Sequence, residues 1–169
     1  MNIEISIENE AWNELDVDSI ADECVEETFA ELDLHGDCVE ICMLFTDDNE
    51  IRTLNRTFRG IDSATNVLSF PATPIEDCEC GDDCHCGNGC DCGCEEHDCI
   101  LGSIAIAYET MQRESEKQGK TLEDHLRHLI VHSSLHLLGY DHIEVREAKE
   151  MENLEVRILK RLGVEDPYQ

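Results

Sequence analysis

Three histidines, His132, His136 and His142, are the residues whose types and spacing point most directly to chemistry. On an α-helix, positions four apart lie on the same face, so His132 and His136 can reach one metal ion. Gly139 then permits the backbone to turn, which lets His142 approach the same point from outside the helix. Three neutral imidazoles with a fourth position left to water are typical of a catalytic zinc site.

The other histidines compete for this role, because the chain contains eight of them. His128 precedes His132 by four residues and could share a metal with it. One ion cannot take His128, His132 and His136 together, since eight helical residues span about 12 Å and zinc–nitrogen bonds are about 2.1 Å long. The glycine and third histidine downstream favour the later pair, and we expect His125 and His128 to be surface or supporting residues.

The residue after the first histidine limits the reaction. Metzincin proteases carry His-Glu-x-x-His-x-x-Gly-x-x-His, in which the glutamate is the general base. This chain has the same spacing of histidines and glycine, but Ser133 stands at the glutamate position. Serine cannot act as that base at neutral pH, so a peptidase is disfavoured. A phosphodiester, already polarised by the metal, remains an alternative substrate. A zinc hydrolase acting on an amide or ester with a carboxylate from elsewhere is an alternative.

A cysteine-rich insert spans residues 76–99 and contains glycines, nine acidic residues and no basic ones. Its repeated Cys-x-Cys pairs resemble a metallothionein-like thiolate cluster, so we predict a possible second metal site. The alternative is a solvated acidic loop that binds nothing. The candidate ligands are Cys78, Cys80, Cys84, Cys86, Cys90, Cys92, Cys94 and Cys99. Outside the insert, Cys24, Cys38 and Cys42 are interpreted as ordinary buried residues.

The amino-acid composition limits what the protein can bind and where it can act. Forty acidic and twelve basic residues give a net charge of −28, so any attraction to nucleic-acid phosphates must come from a local site, a cation or a partner. The amino-terminal residues lack the basic and apolar regions of a signal peptide, and no segment has the length of a membrane span. We therefore expect a cytoplasmic protein with reduced cysteines and no membrane partner.

The hydrophobic pattern predicts one α+β domain over residues 1–169, with about four strands in a mixed sheet, several helices and the insert between two strands. One helix, over 122–138, is apolar on most sides and should be central. Strand order is not readable from the pattern. The predicted strands cover 3–7, 38–45, 66–71 and 100–107, and the predicted helices cover about 16–36, 47–60, 108–118, 122–138 and 142–162.

Three blocks of sequence resemble the YbeY family of bacterial ribosomal-RNA maturation factors. The most specific block is His132-x-x-x-His136-Leu-Leu-Gly-Tyr-Asp-His142. The other two are Leu-Asn-Arg-Thr-Phe-Arg at 54–59 with Thr-Asn-Val-Leu-Ser-Phe-Pro at 65–71, and Leu-Gly-Ser-Ile-Ala-Ile at 101–106. The resemblance runs from about residue 38 to 160 and does not cover the insert.

This resemblance implies an α+β fold and a zinc ion held by His132, His136 and His142. It implies a single-strand-specific endoribonuclease that matures the 3′ end of small-subunit ribosomal RNA and acts in ribosome quality control. The expected partners are ribosomal RNA or the small ribosomal subunit, without DNA. Arg59 matches an arginine associated with activity, so Arg59 and His132 are the expected catalytic residues.

The guanidinium of Arg59 is suited to this role, because it can bind a phosphate bidentately and stabilise a pentavalent transition state. The alternative is an arginine that only interacts with the last carbonyls of its helix. The chain also departs from the family pattern: Ser133 replaces a usual glycine, and Asn66 and Ser103 replace common aspartates. These losses motivate a third hypothesis, a metal-binding ribosome-assembly factor without catalysis.

Overall fold

The structure is a computed structural model that describes residues 1–34, 39–72, 99–140 and 145–168. The described residues contain four strands and five α-helices, with a short 3-10 helix at Glu10–Glu14. The strands are β1 (Asn2–Ile7), β2 (Val39–Thr46), β3 (Val67–Pro71) and β4 (Cys99–Ala107). The helices are α1 (Val17–Glu31), α2 (Asp48–Arg59), α3 (Tyr108–Gln118), α4 (Leu122–Leu137) and α5 (Val145–Arg161).

The four strands form one mixed sheet in the order β1-β2-β4-β3. β1, β2 and β4 are parallel, whereas β3 runs antiparallel to β4 along the edge. The connection between the parallel neighbours β1 and β2 contains α1, and the connection between the parallel neighbours β2 and β4 contains α2 and β3, which gives each the length that parallel pairing requires. The α+β prediction with a four-stranded mixed sheet is confirmed, and the structure adds the strand order.

Local signals in the sequence set several helix ends. The Asp47 side chain accepts from the backbone N–H groups of Asn49 and Glu50 and so caps α2, while Gly60 ends it with a φ of 72°. The Asp16 side chain accepts from the backbone N–H of Ser19 and so caps α1. The prediction that α1 closes at residues 35 and 36 is wrong, because the helix ends at Glu31 and those two residues lie outside the described range.

The main core lies between one face of the sheet and the helices α1, α3, α4 and α5. β2 contributes Ile41, Met43 and Phe45 to it at alternate positions, as the pleat of a strand requires. The 3-10 helix, which the sequence pattern did not predict, buries Trp12, whose indole N–H donates to the carbonyl of Thr46 at 3.0 Å. α4 packs against β3, β4 and the other three helices, which confirms its central position.

A smaller cluster lies on the opposite face of the sheet, beneath α2. It contains Ile51 of α2 together with Leu68, Ala105 and Ala107 of the sheet. Because α2 covers only part of this face, Cys42 and Leu44 of β2 remain partly exposed. The face of β2 that carries Cys42 and Leu44 is therefore only partly covered.

The cysteine-rich insert joins two sheet-neighbouring strands, β3 and β4. Its position between strands agrees with the sequence prediction. All of its residues except Cys99 lie outside the described residues, and of Cys99 only the backbone, at the start of β4, is described. None of the helices in the described part of the chain has the length and apolar character needed to cross a lipid bilayer.

Gly102 lets β4 approach both its neighbouring strand and the end of α4. The glycine has a φ of 148°, directly after a register shift between β2 and β4. A Cβ atom there would lie 2.4 Å from the Phe70 carbonyl oxygen and 2.8 Å from the Leu137 Cδ2 atom. A residue without a side chain is required at this contact.

We expect Gly102→Ala to lower the free energy of unfolding by about 1–3 kcal/mol, because the added methyl group must displace β3 or α4. Urea denaturation of the purified protein measures this loss. Gly119→Ala is the matched control, since Gly119 also has a positive φ, 68°, but a Cβ atom there would meet nothing within 4 Å. Equal losses in the two variants would contradict the steric explanation.

Candidate functional site

The α4 helix brings His132 and His136 to a common point. Thr121 caps its start, with the hydroxyl accepting from the N–H of Asp124 at 3.0 Å, and the helix ends at Leu137, before Gly139 with a φ of 90°. The two histidines are one helical turn apart, and their Nε2 atoms lie 3.1 Å from each other. Both side chains are partly exposed, although most of α4 is buried.

This spacing fits a shared metal ion. Two nitrogens bound to one tetrahedral zinc would lie about 3.3 Å apart, given bonds of about 2.0–2.1 Å. In the absence of a cation, the same distance also permits an N–H of one ring to donate to the other. The donor set suits zinc, since neutral imidazole is among its usual ligands. His132 and His136 therefore have the chemistry and the separation of two ligands.

Glu155 of α5 holds the other side of the His132 ring. Its Oε1 atom lies 2.6 Å from His132 Nδ1, and the residue is 1% exposed. Burial alone would raise the pKa of Glu155, but hydrogen bonds with His128 and His132, the charge of His132 and the Tyr168 hydroxyl lower it to about 2. Glu155 is thus a carboxylate at neutral pH, and it accepts a hydrogen bond from the Nδ1 atom of His132.

Glu155 is not among the residues predicted above, although the pattern of α5 contains a signal for it. Glu155 lies on the apolar face of that helix, among Met151, Leu154 and Ile158, all of which are buried. An acidic residue in an apolar stripe is rarely fully buried without a partner. Such a position predicts a polar partner on a facing element, and the partners here are His128 and His132 of α4.

The two earlier histidines of α4 have different partners. His128 Nε2 lies 3.2 Å from Glu155, so it supports the same carboxylate that contacts His132. His125 is buried, so the surface position, one of the two placements predicted for it, is wrong. Its Nε2 atom lies 2.9 Å from Glu114. Burial lowers the pKa of His125, whereas the contact with Glu114 acts in the opposite direction.

The third predicted ligand, His142, lies outside the described residues, as does the neighbouring Asp141. The reversal at Gly139 is described, and its positive φ agrees with the predicted turn after the helix. His142 therefore stays a prediction based on sequence spacing. The described residues bring together two of the three expected ligands.

Arg59 is the last residue of α2 and is exposed. α2 packs on the face of the sheet opposite to the main core, to which α4 belongs. Arg59 and the histidine pair thus belong to elements on different faces of the sheet. Its predicted role in phosphate binding stays a prediction.

The three departures from the family pattern have different surroundings. Ser133 is 0% exposed, and its hydroxyl has no hydrogen-bond partner among the described residues. Asn66 donates to Glu114 at 2.9 Å, and Glu114 also contacts His125. Ser103 pairs with Cys42 across the sheet. Burial of Ser133 supports the interpretation that it does not replace the protease glutamate.

A second group of potential ligand atoms lies on the partly exposed face of the sheet. The ligand atoms of Glu4, Glu40 and Cys42 all lie within 4.8 Å of one another. Burial raises the pKa of the Cys42 thiol, and the charges of Glu4 and Glu40 raise it further. A protonated thiol is a poor ligand, so this group is a weaker candidate than the histidine pair.

The interpretation of Cys42 as an ordinary buried residue is wrong, because its side chain is partly exposed. Cys24 is buried as predicted, and its pKa is raised to about 12.

Comparison with known proteins identifies the family. The sequence profile described as Endoribonuclease YbeY matches residues 2–163. The chain belongs to the endoribonuclease YbeY family. A relative named Endoribonuclease YbeY from Cereibacter sphaeroides is 46% identical over 166 residues, covering 98% of this chain and 98% of the relative. The protein of the same name from Ruegeria pomeroyi is 42% identical over 172 residues, covering 99% and 98%.

The family assignment confirms the resemblance inferred from the three sequence blocks, and it places the chain among hydrolytic nucleases. A third YbeY relative, from Sinorhizobium fredii, is 41% identical over 175 residues, which cover 99% of this chain and 92% of that protein. The fold is similar to the solution structure of TM1509 from Thermotoga maritima. That similarity has a TM-score of 0.59 at 24% identity and covers 94% of this chain and 87% of the other.

We expect a variant in which the eight insert cysteines are replaced by serine to bind one zinc ion per chain, and a further His136→Ala change to remove it. The reason is that the Nε2 atoms of His132 and His136 converge at 3.1 Å. Elemental analysis after dialysis measures the metal content. The control is His125→Gln, because His125 contacts Glu114 instead of the pair. Undiminished zinc after His136→Ala would show that the ion is held elsewhere.

Proposed function

We propose that this protein is a zinc-dependent endoribonuclease that cleaves single-stranded RNA. The observation that carries the proposal is the convergence of His132 and His136 at 3.1 Å on the central helix of a YbeY-family chain. Zinc would be held by these two residues and by His142. A zinc ion bound there would supply Lewis acidity for hydrolysis of a phosphodiester at neutral pH.

The residues around the pair have separate tasks in this proposal. Glu155 keeps the His132 ring in place through its contact with Nδ1. Arg59 would bind a phosphate of the RNA through its guanidinium. Ser133 is buried and takes no part in proton transfer. The general base must therefore come from another group than the residue that follows the first histidine.

The acidic surface makes local cations important for RNA binding. With a net charge of −28, the overall field repels phosphate, so attraction must come from the zinc site and from individual arginines. The last turn of α2 carries Arg56 and Arg59, both exposed, whereas Arg52 on the same helix forms an ion pair with Asp62 at 2.8 Å. These two arginines are the candidates for phosphate contact on α2.

We further propose that the substrate is ribosomal RNA, at the 3′ end of the small-subunit RNA, and that the protein acts in the cytoplasm in ribosome maturation and quality control. Support comes from the names of the relatives, which are endoribonucleases, and from the motif resemblance. For the cysteine-rich insert we propose a separate thiolate-bound metal cluster, supported by the Cys-x-Cys repeats alone.

We expect the purified, zinc-loaded protein to cleave a labelled single-stranded RNA, and both chelation and His136→Ala to abolish cleavage. The reason is that His136 supplies one of the converging nitrogens. Gel analysis of the products measures this, with a double-stranded RNA of the same sequence as the comparison substrate. Cleavage that survives both treatments would overturn the proposal. Binding to small-subunit particles without cleavage would favour an assembly factor, and turnover of amide or ester substrates alone would favour another hydrolase.

We expect Arg59→Ala to lower kcat/KM for RNA cleavage by about 10- to 100-fold, because a hydrogen bond to a charged group contributes about 1.5–3 kcal/mol. Arg59→Lys should recover part of this loss, since lysine keeps the charge but not the bidentate geometry. The matched control is Arg52→Ala, which removes an exposed arginine from the same helix whose guanidinium is already paired with Asp62 at 2.8 Å. Equal, small losses in the two alanine variants would show that Arg59 contributes only general charge.

A further inference from the structure

Glu155 is a buried carboxylate with three hydrogen-bonding neighbours from two other parts of the chain. Its Oε1 atom lies 2.6 Å from His132 Nδ1, and its Oε2 atom lies 3.2 Å from His128 Nε2. The hydroxyl of Tyr168, after the end of α5, donates to the same Oε2 atom. A carboxylate buried to this degree needs such donors, because it has lost nearly all contact with water.

The contact with His132 determines which of its ring nitrogens can bind a metal. A carboxylate accepts hydrogen bonds and does not donate them, so the proton of neutral His132 must lie on Nδ1. The lone pair then lies on Nε2, the atom that faces His136 at 3.1 Å. Metal-binding histidines usually have a partner of this kind, which fixes the tautomer and the ring orientation.

Residues 164–168 hold Glu155 in turn. Val164 is buried against the core, and the Lys120 ammonium donates to the Pro167 carbonyl at 3.1 Å. These contacts place Tyr168, whose ring also lies edge-on to His128 with a centroid distance of 5.7 Å. The Tyr168 hydroxyl and His128 thereby occupy one oxygen of Glu155 and leave the other for His132.

We propose that Glu155 is the positioning residue of the metal site, and that Tyr168 fixes Glu155, so that the segment after α5 contributes to metal affinity without contacting the metal. The inference deepens the proposed function, because it assumes that His132 binds the ion through Nε2. It adds two residues, and one segment, that the motif around the histidines does not contain.

The first readout is the tautomer of His132 in the metal-free protein. Long-range ¹H–¹⁵N NMR correlations distinguish an Nδ1–H from an Nε2–H imidazole, and we expect the Nδ1–H form in the wild-type chain. We expect Glu155→Gln to mix the two forms, because an amide can either accept from Nδ1 or donate to it. A wild-type His132 with its proton on Nε2 would overturn the inference.

The second readout is zinc affinity, measured by chelator competition in the variant with eight insert serines. We expect Glu155→Gln to lower the affinity about 10- to 100-fold, as is usual for such partners of metal-bound histidines. Tyr168→Phe should give a smaller loss in the same direction, and it tests the arrangement with an intact carboxylate. The matched control is Glu150→Gln, an exposed glutamate on the same helix, which should leave the affinity unchanged.

The outcomes separate this inference from the proposed function. Unchanged zinc affinity in both Glu155→Gln and Tyr168→Phe, with His136→Ala still deficient, would overturn the positioning role and leave the metal site intact. A wild-type protein that shows the Nδ1–H tautomer but binds no zinc at the histidines would support the positioning of the ring and overturn the proposed metal-dependent function. If Glu155→Gln does not fold, Tyr168→Phe decides the role.

Discussion

The contact between Glu155 and His132 is the interaction on which the candidate site depends. It joins the two longest helices, α4 and α5, through a charged group that is almost entirely buried. Removing a carboxylate from water costs several kcal/mol, and hydrogen bonds from surrounding donors must offset that cost. Here His128, His132 and Tyr168 act together as those donors, so the orientation of the His132 ring depends on three segments of the fold.

The rest of the architecture keeps α4 in place beneath that contact. Three parallel strands present Ile41, Met43, Phe45 and similar side chains to one layer of helices, and α4 lies in the middle of this layer. Gly102 allows β4 to approach the end of α4 where the histidines converge. The helix is therefore constrained by the sheet on one side and by α1, α3 and α5 on the others. A rigid helix keeps two imidazoles at the separation that one ion requires.

Much of this arrangement could be predicted from the sequence, because the signals are local. The i and i+4 spacing of His132 and His136 and the four predicted strands agree with the structure. The motif blocks also predicted the family. Each of these features depends on residues that are close together in the chain.

The features that the sequence did not predict depend on contacts between distant parts of the chain, or on how much of a sheet face the helices cover. Glu155 and His132 are 23 residues apart, and only packing of α5 on α4 brings them together. The strand order, the burial of Trp12 and the partly exposed face of β2 likewise follow from which elements pack against which. The burial of His125 also depends on a partner on another helix, Glu114. Hydrophobic periodicity does not contain this information.

The most direct test of the central claim is X-ray absorption at the zinc edge of the variant in which serine replaces the eight insert cysteines. The account predicts a first shell of nitrogen and oxygen only, at about 2.0–2.1 Å, with the outer-shell scattering of imidazole rings. Sulfur at about 2.3 Å would instead place the ion on a remaining cysteine such as Cys42. A first shell without imidazole would contradict the proposed site at His132 and His136.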